Sequence, residues 1–87
     1  MTDHFLANVQ EIFGLLFGVD PRSVSLETIA TDIPEWDSVG HLSLCGALEE
    51  AFEIRFTVNE MAEMNDVSAI VSIIEAKKRM LPRRMMH

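Results

Sequence analysis

Residues 35–42 read Glu35-Trp36-Asp37-Ser38-Val39-Gly40-His41-Leu42, and across them an irregular segment becomes an amphipathic helix. Asp37 and Ser38 both carry the short, oxygen-bearing side chains that cap helix N-termini. Beyond them Leu42, Cys45, Leu48, Glu49 and Phe52 recur along one side, widened by Leu44 and Ala47, so a helix is expected from Ser38 to about Phe52. A serine hydroxyl at such a boundary is accessible, and the unpaired N–H groups of the first turn point towards it. A phosphate ester on that oxygen would lie in the favourable field of the helix N-terminus. Asp37 would repel the ester unless a divalent cation sat there while the phosphate was transferred. A plain helix cap accounts for the same two residues, and the pair alone does not go beyond it.

Outward from this stretch the chain alternates helical periods with breakers. Phe5, Leu6, Val9, Ile12, Phe13 and Leu16 form one apolar stripe, predicting a helix from about Asp3 to Phe17, with Gly18 as its stop and Pro21 beyond. Residues 18–37 have no comparable period. They read as a long loop pinned by Val24, Leu26, Ile29, Ile33 and Trp36, with a short helical turn expected over Val24, Leu26 and Ile29. After Phe52, Thr57 caps a short helix from Val58 to Glu63. Asp66 then caps a last one, in which Val67, Ile70, Val71, Ile73 and Ile74 are apolar. Lys77, Lys78 and Arg79 place positive charge at its C-terminal end, and Pro82 ends it. The expected fold class is all-α: three main helices, one short helix and a long first loop.

The chain has 87 residues, room for one domain with a thin core and little space for a deep substrate cavity as well. Residues 1–80 read as that domain and 81–87 as a short basic C-terminal tail. Five of the seven Lys and Arg residues fall at 77–84, leaving Arg22 and Arg55 against all fourteen acids in residues 1–76, 2 − 14 = −12. Such a body repels nucleic acid and attracts proteins with basic docking patches. Cys45 is the only cysteine, which excludes an internal disulfide and suits a reducing compartment. The N-terminal residues lack a signal-peptide pattern, and no stretch approaches the ~18 apolar residues of a membrane span. A monomeric cytoplasmic protein that binds neither membrane nor nucleic acid is expected.

The ordered set Asp37-Ser38-Val39, then Leu48-Glu49-Glu50-Ala51-Phe52, resembles the acyl carrier protein family. That family has Asp-Ser-Leu at a helix start and Leu-Glu-x-x-Phe near its end, with the leucine and phenylalanine ten and fourteen residues after the serine, as here. The likeness continues through Phe56, Thr57 and Val67 and spans about Phe5 to Ile74. It implies a four-helix bundle whose Ser38 receives 4′-phosphopantetheine from coenzyme A through a Mg²⁺-dependent transferase, with Asp37 the adjacent acid. It implies no catalytic residue and no resident metal. The carrier would hold an acyl or aminoacyl group for activating and condensing enzymes. Val39, Glu49, Glu50, Glu53, Glu60 and Glu63 would form the face on which those partners dock, though a merely solvated face accounts for the acids too. Trp36 and His41 resemble a subset of the family with Trp-Asp-Ser-x-Gly-His, where His41 either touches the phosphate or is simply solvated. Gly40 and Gly46 suit close approach by the arm or a partner, or are surface glycines tolerated in a helix.

Three rival functions remain to compare. A hydrolase would pair Ser38 or Cys45 with His41 at helical spacing, yet no Gly-x-Ser-x-Gly turn or third group accompanies them. His4, His41 and His87 are too scattered for a zinc site. An unmodified helical adaptor of the same fold is the alternative that survives.

Overall fold

The computed structural model describes residues 2–80, so the basic tail expected over 81–87, with Pro82, lies outside the described residues. Four helices follow one another: α1 (Thr2–Phe17), α2 (Ser38–Phe52), α3 (Val58–Glu63) and α4 (Val67–Met80). α1 packs against both α2 and α4, and the loop of residues 18–37 wraps the end of the bundle where α2 begins. Among the described residues the sole β-type pairing is an isolated bridge between Ile29 and Asp66, so the all-α expectation holds.

Each helix is bounded by the chemistry its sequence advertises. α1 buries Val9, Phe13 and Phe17, one residue per turn, while Leu16 at the stripe's margin is partly exposed. Gly18 follows in the left-handed region (φ 71°), a conformation glycine adopts without a Cβ clash, and its N–H closes on the Gly14 carbonyl at 3.0 Å. α3 has a reciprocal cap: the Glu60 N–H donates to Thr57 Oγ1 (3.1 Å) and the Thr57 N–H to Glu60 Oε1 (2.8 Å). In α4 Asp66 accepts from the Ala69 N–H at 2.7 Å, and Val67, Ile70, Val71 and Ile74 are buried. The β-branched residues there thus serve a helix face, and Lys77, Lys78 and Arg79 occupy its last turn.

The long loop departs from expectation in one respect. No helical turn forms over Val24 to Ile29; short 3-10 turns flank it instead, at Pro21–Ser23 and Ala30–Asp32. The segment between is held by side-chain bonds that compete with a helix, the Ser25 N–H donating to Thr28 Oγ1 at 2.9 Å. The Thr28 carbonyl then accepts from the Val67 N–H (2.9 Å), and the Ala30 N–H donates to the Asn65 carbonyl (3.0 Å). These two bonds tie the loop to the start of α4. Val24, Ile33 and Trp36 are buried as anchors, whereas Ile29 is 44% exposed.

α2 also differs from its expected face. Leu44, Cys45, Leu48 and Phe52 are buried, but Leu42 is 67% exposed. At about 100° per residue Leu42 lies roughly 120° round the helix from Leu48, outside the buried arc. It joins Val39, 74% exposed, on the outward side.

Candidate functional site

The site is built where the loop delivers the chain into α2. Asp37 is extended (φ −104°, ψ −164°) and is the N-cap: its Oδ1 accepts from the Gly40 N–H at 2.9 Å, and its carbonyl from the His41 N–H at 2.7 Å. Ser38 is therefore the first helical residue and is exposed. Its hydroxyl makes no hydrogen bond among the described residues, and the backbone N–H groups of Ser38 and Val39 have no partner there either. Two unpaired donors and the positive end of the helix dipole thus surround an uncommitted hydroxyl, an arrangement suited to a phosphodiester. Capping by itself accounts for Asp37, without a cation.

Beside Ser38 lies an open cleft of about 300 Å³, lined in part by Trp36, Asp37, His41, Met61 and Asn65. Two of its lining rings, Trp36 and His41, stack at 6.2 Å between centroids; behind them Phe13 meets Trp36 edge to face at 5.0 Å and Phe17 stacks on Trp36 at 6.5 Å. Trp36 Nε1 donates to His41 Nδ1 at 2.8 Å, and His41 Nε2 lies 2.7 Å from the Met61 carbonyl. An indole N–H can only donate and a carbonyl can only accept, so the imidazole is neutral and protonated on Nε2. Both ring nitrogens are committed. His41 is therefore neither the phosphate contact nor the solvated histidine that its position suggested; it links the loop, α2 and α3.

Gly40 has a similarly internal reason. A Cβ there would collide with the Glu35 carbonyl oxygen and come within 3.1 Å of Phe17 Cε1. The chain folding back on itself demands this glycine, not an incoming arm or partner. Gly46 has no neighbour within 4 Å of an added Cβ, as a tolerated surface glycine should.

The six expected docking residues divide into two groups. Val39, Glu50 and Glu53 lie on the outward strip of α2, and Glu63 is exposed on α3. Glu49 is half-buried and its Oε2 accepts from the Phe56 N–H at 2.9 Å. Glu60 is held by its cap and by Lys77, 3.0 Å away. The Thr57 backbone N–H foremost, with Lys77 adding to it against a smaller opposing effect of burial, draws the Glu60 carboxyl below its ordinary range. Leu42 was missed from this surface because its spacing to Cys45 reads as core; its angular position was the signal that could have found it.

A hydrolytic pair does not assemble. Burial first, and the nearby Glu49 charge second, push the Cys45 thiol up, away from the thiolate a nucleophile needs. No hydrogen bond joins His41 to Ser38 or Cys45 among the described residues. There too, no group of three or more His, Cys, Asp or Glu side chains could hold a metal ion, and no helix is long and apolar enough to cross a membrane.

No protein-family model matches the chain, and no curated protein does. Solved structures do. The solution NMR structure of a holo acyl carrier protein from Geobacter metallireducens superposes with a TM-score of 0.78 at 29% identity, covering 94% of this chain and 91% of that one.

Proposed function

We propose that this chain, which belongs to the acyl carrier protein family and is a phosphopantetheine carrier rather than an enzyme, bears its arm on Ser38 and carries an acyl or aminoacyl group there. The observation that carries this reading is the division of labour at the start of α2. Asp37 supplies the cap oxygen, and the Ser38 hydroxyl next to it is exposed and uncommitted.

In the loading reaction the Ser38 hydroxyl loses its proton and bonds to the phosphorus of coenzyme A's pantetheine phosphate, and the bond to the adenosine bisphosphate half breaks. The separate transferase and its Mg²⁺ drive that step. This chain's part is to hold the oxygen outward on a rigid helix end and to offer the Ser38 and Val39 N–H groups to the new phosphodiester. Once attached, the arm supplies the thiol that holds the cargo as a thioester. Nothing in this chain then acts as acid, base or nucleophile; partner enzymes provide those groups.

Partners dock, in this reading, on the outward strip of α2, where Val39 and Leu42 lie nearest Ser38 and Glu50 and Glu53 farther along, and on α3 at the exposed Glu63. An apolar centre next to exposed acids fits a partner with a basic rim. Glu49 and Glu60 contribute charge to that face while their carboxylates serve the fold. The cytoplasm is the proposed setting, where Cys45 stays reduced.

The test is intact mass after co-expression with a broad-specificity phosphopantetheinyl transferase. The parent protein should gain one arm, and Ser38→Ala should gain none while keeping the parent's stability, because Asp37 makes the cap. An unchanged parent mass, with the transferase active on a control and the bundle folded, would refute attachment and leave the unmodified adaptor.

A further inference from the structure

The end of α2 far from Ser38 carries an unbalanced charge. Glu49, Glu50 and the C-cap residue Glu53 stand where the helix dipole is itself negative, and no basic residue lies in that last turn. With Gly46 one turn earlier they fall at i, i+3, i+4 and i+7, a single outward stripe. The stripe lines an open groove of about 690 Å³ that Ile54 and Arg55 complete. Three carboxylates thus face one guanidinium. Glu49 is engaged by the Phe56 N–H at 2.9 Å. Glu50, Glu53 and Arg55 are exposed and form no hydrogen bond or ion pair through their side chains among the described residues. An added Cβ at Gly46 would meet nothing within 4 Å, so the space above the helix is open.

α4 brings positive charge to the same place. Lys78 Nζ donates to the Phe52 carbonyl at 3.0 Å, and Phe5 meets Phe52 edge to face at 5.8 Å. The end of α4, the start of α1 and the end of α2 therefore share one pole of the bundle. The other acids nearby already have cations beside them: Glu60 pairs with Lys77, and Glu75 lines a cavity with Lys78 and Arg79. α4 runs to Met80, and the sequence continues Leu81-Pro82-Arg83-Arg84-Met85-Met86-His87. Pro82 lacks the N–H that a further helical turn needs. Three or four residues of extended chain span about 10–14 Å, enough to bring Arg83 and Arg84 from Met80 to acids within a turn of Phe52. A tether this short gives the arginines an effective concentration on the order of millimolar, which favours them over the same groups on a separate molecule.

We propose that the groove at the end of α2 is an interaction surface for this chain's own residues 81–87, with the Arg83 and Arg84 guanidiniums over Glu50 and Glu53. The contact is electrostatic and is made in cis. It covers the acidic end of the strip on which partners dock, so a basic partner must displace it. Only that consequence rests on the proposed carrier function; the contact itself does not.

Met85→Cys in the full chain adds a thiol for a nitroxide label, Cys45 being buried. Amide NMR spectra of the protein without an arm, with the label oxidised and then reduced, map where residues 81–87 make contact. The tether alone brings the label to this pole, so proteins of equal length and different charge are compared. In the labelled parent the Gly46, Glu50 and Glu53 signals should be lost, while those of Leu15 and Val39 are kept. The lost signals should return in 1 M salt, where charges act over only about 3 Å. Arg83→Gln/Arg84→Gln and Glu50→Gln/Glu53→Gln should each restore them, and combining the two pairs should restore no more than either alone. The same spectra show whether the bundle is intact. Signal loss that persists in either pair of variants overturns the proposal. So does loss passed to isotope-enriched, unlabelled protein mixed with the labelled chain, which would assign the groove to a second copy. Ser38 is unmodified throughout, so failure here leaves the attachment reading standing, and failure of attachment leaves this contact standing.

Discussion

Replacing Gly40 by alanine tests how the α2 start is built, because two opposite effects meet at one methyl group. Alanine in a helix is favoured over glycine by about 1 kcal/mol. At Gly40 the added Cβ would land on the Glu35 carbonyl oxygen and press on Phe17 Cε1 at 3.1 Å. The Glu35 carbonyl is backbone and cannot swing away as a side-chain tip would. Moving it drags Trp36, whose N–H donates to the Ile33 carbonyl at 3.0 Å and whose indole is bonded to His41. Overpacking of a tight site costs about 1–3 kcal/mol, and a collision with anchored backbone belongs at the upper end. Gly40→Ala should therefore lose about 2 kcal/mol net. Gly46→Ala, with nothing within 4 Å of its Cβ, should gain up to about 1 kcal/mol, a spread of roughly 3 kcal/mol for the same substitution in one helix. Urea denaturation of both variants measures this at constant m-value. In thermal melts the Gly40 variant should fall by about 10 °C, given about 4–8 °C per kcal/mol at this size. A Gly40→Ala protein as stable as the parent, with m unchanged, would refute the close approach of loop and helix on which the Ser38 geometry depends.

Two further substitutions probe the ends of the helices. Glu53 ends α2 in the left-handed region (φ 57°, ψ 49°), where a Cβ crowds the carbonyl at a cost of about 1–2 kcal/mol. Glu53→Gly removes that crowding at an entropic cost of about 0.5–1 kcal/mol and should stabilise the fold by about 0.5–1 kcal/mol in urea titrations; a loss would contradict the assigned conformation. The Glu60 carboxyl, held below its ordinary value of 4.5 chiefly by the Thr57 N–H and then by Lys77, stabilises the fold fully above that value. This contribution fades as pH falls through the lower native value, because protonation then favours the unfolded chain. The stability difference between parent and Glu60→Gln should accordingly shrink as pH is lowered from 7 through 4.5 and below. A difference that stays constant with pH would remove Glu60 from the acid limb.

The helices were legible because their signals are local. Thr57 and Glu60 lie three residues apart, as do Asp66 and Ala69, and each pair closes a cap that sequence spacing can specify. What could not be read depends on the chain meeting itself. His41 finds Met61 twenty residues on, and no periodicity contains that partner. The need for glycine at 40 comes from a carbonyl five residues earlier, brought back by the turn between Ile33 and Trp36. Leu42 failed for a different reason. It sits three residues before Cys45, a spacing compatible with the buried face, and only the summed rotation from Leu48 places it outside.

At Ser38 the same distinction decides what the residue can be for. Taken as sequence, Asp37 and Ser38 were equivalent candidates for one structural task, and either oxygen would have satisfied an N-terminal donor. In the folded chain Asp37 performs that task through Gly40, so helix stability asks nothing of the next side chain. Ser38 is exposed and its hydroxyl forms no bond among the described residues, and an alanine at the first helical position would serve the helix as well or better. Trp36, His41 and Gly40, in contrast, are each accounted for by contacts within the fold. Of the residues from Trp36 to His41, the serine and the outward Val39 are the two that the protein's own packing does not explain. They lie side by side on the exposed start of a helix. That is the placement expected of an attachment point and of the surface by which another protein reaches it.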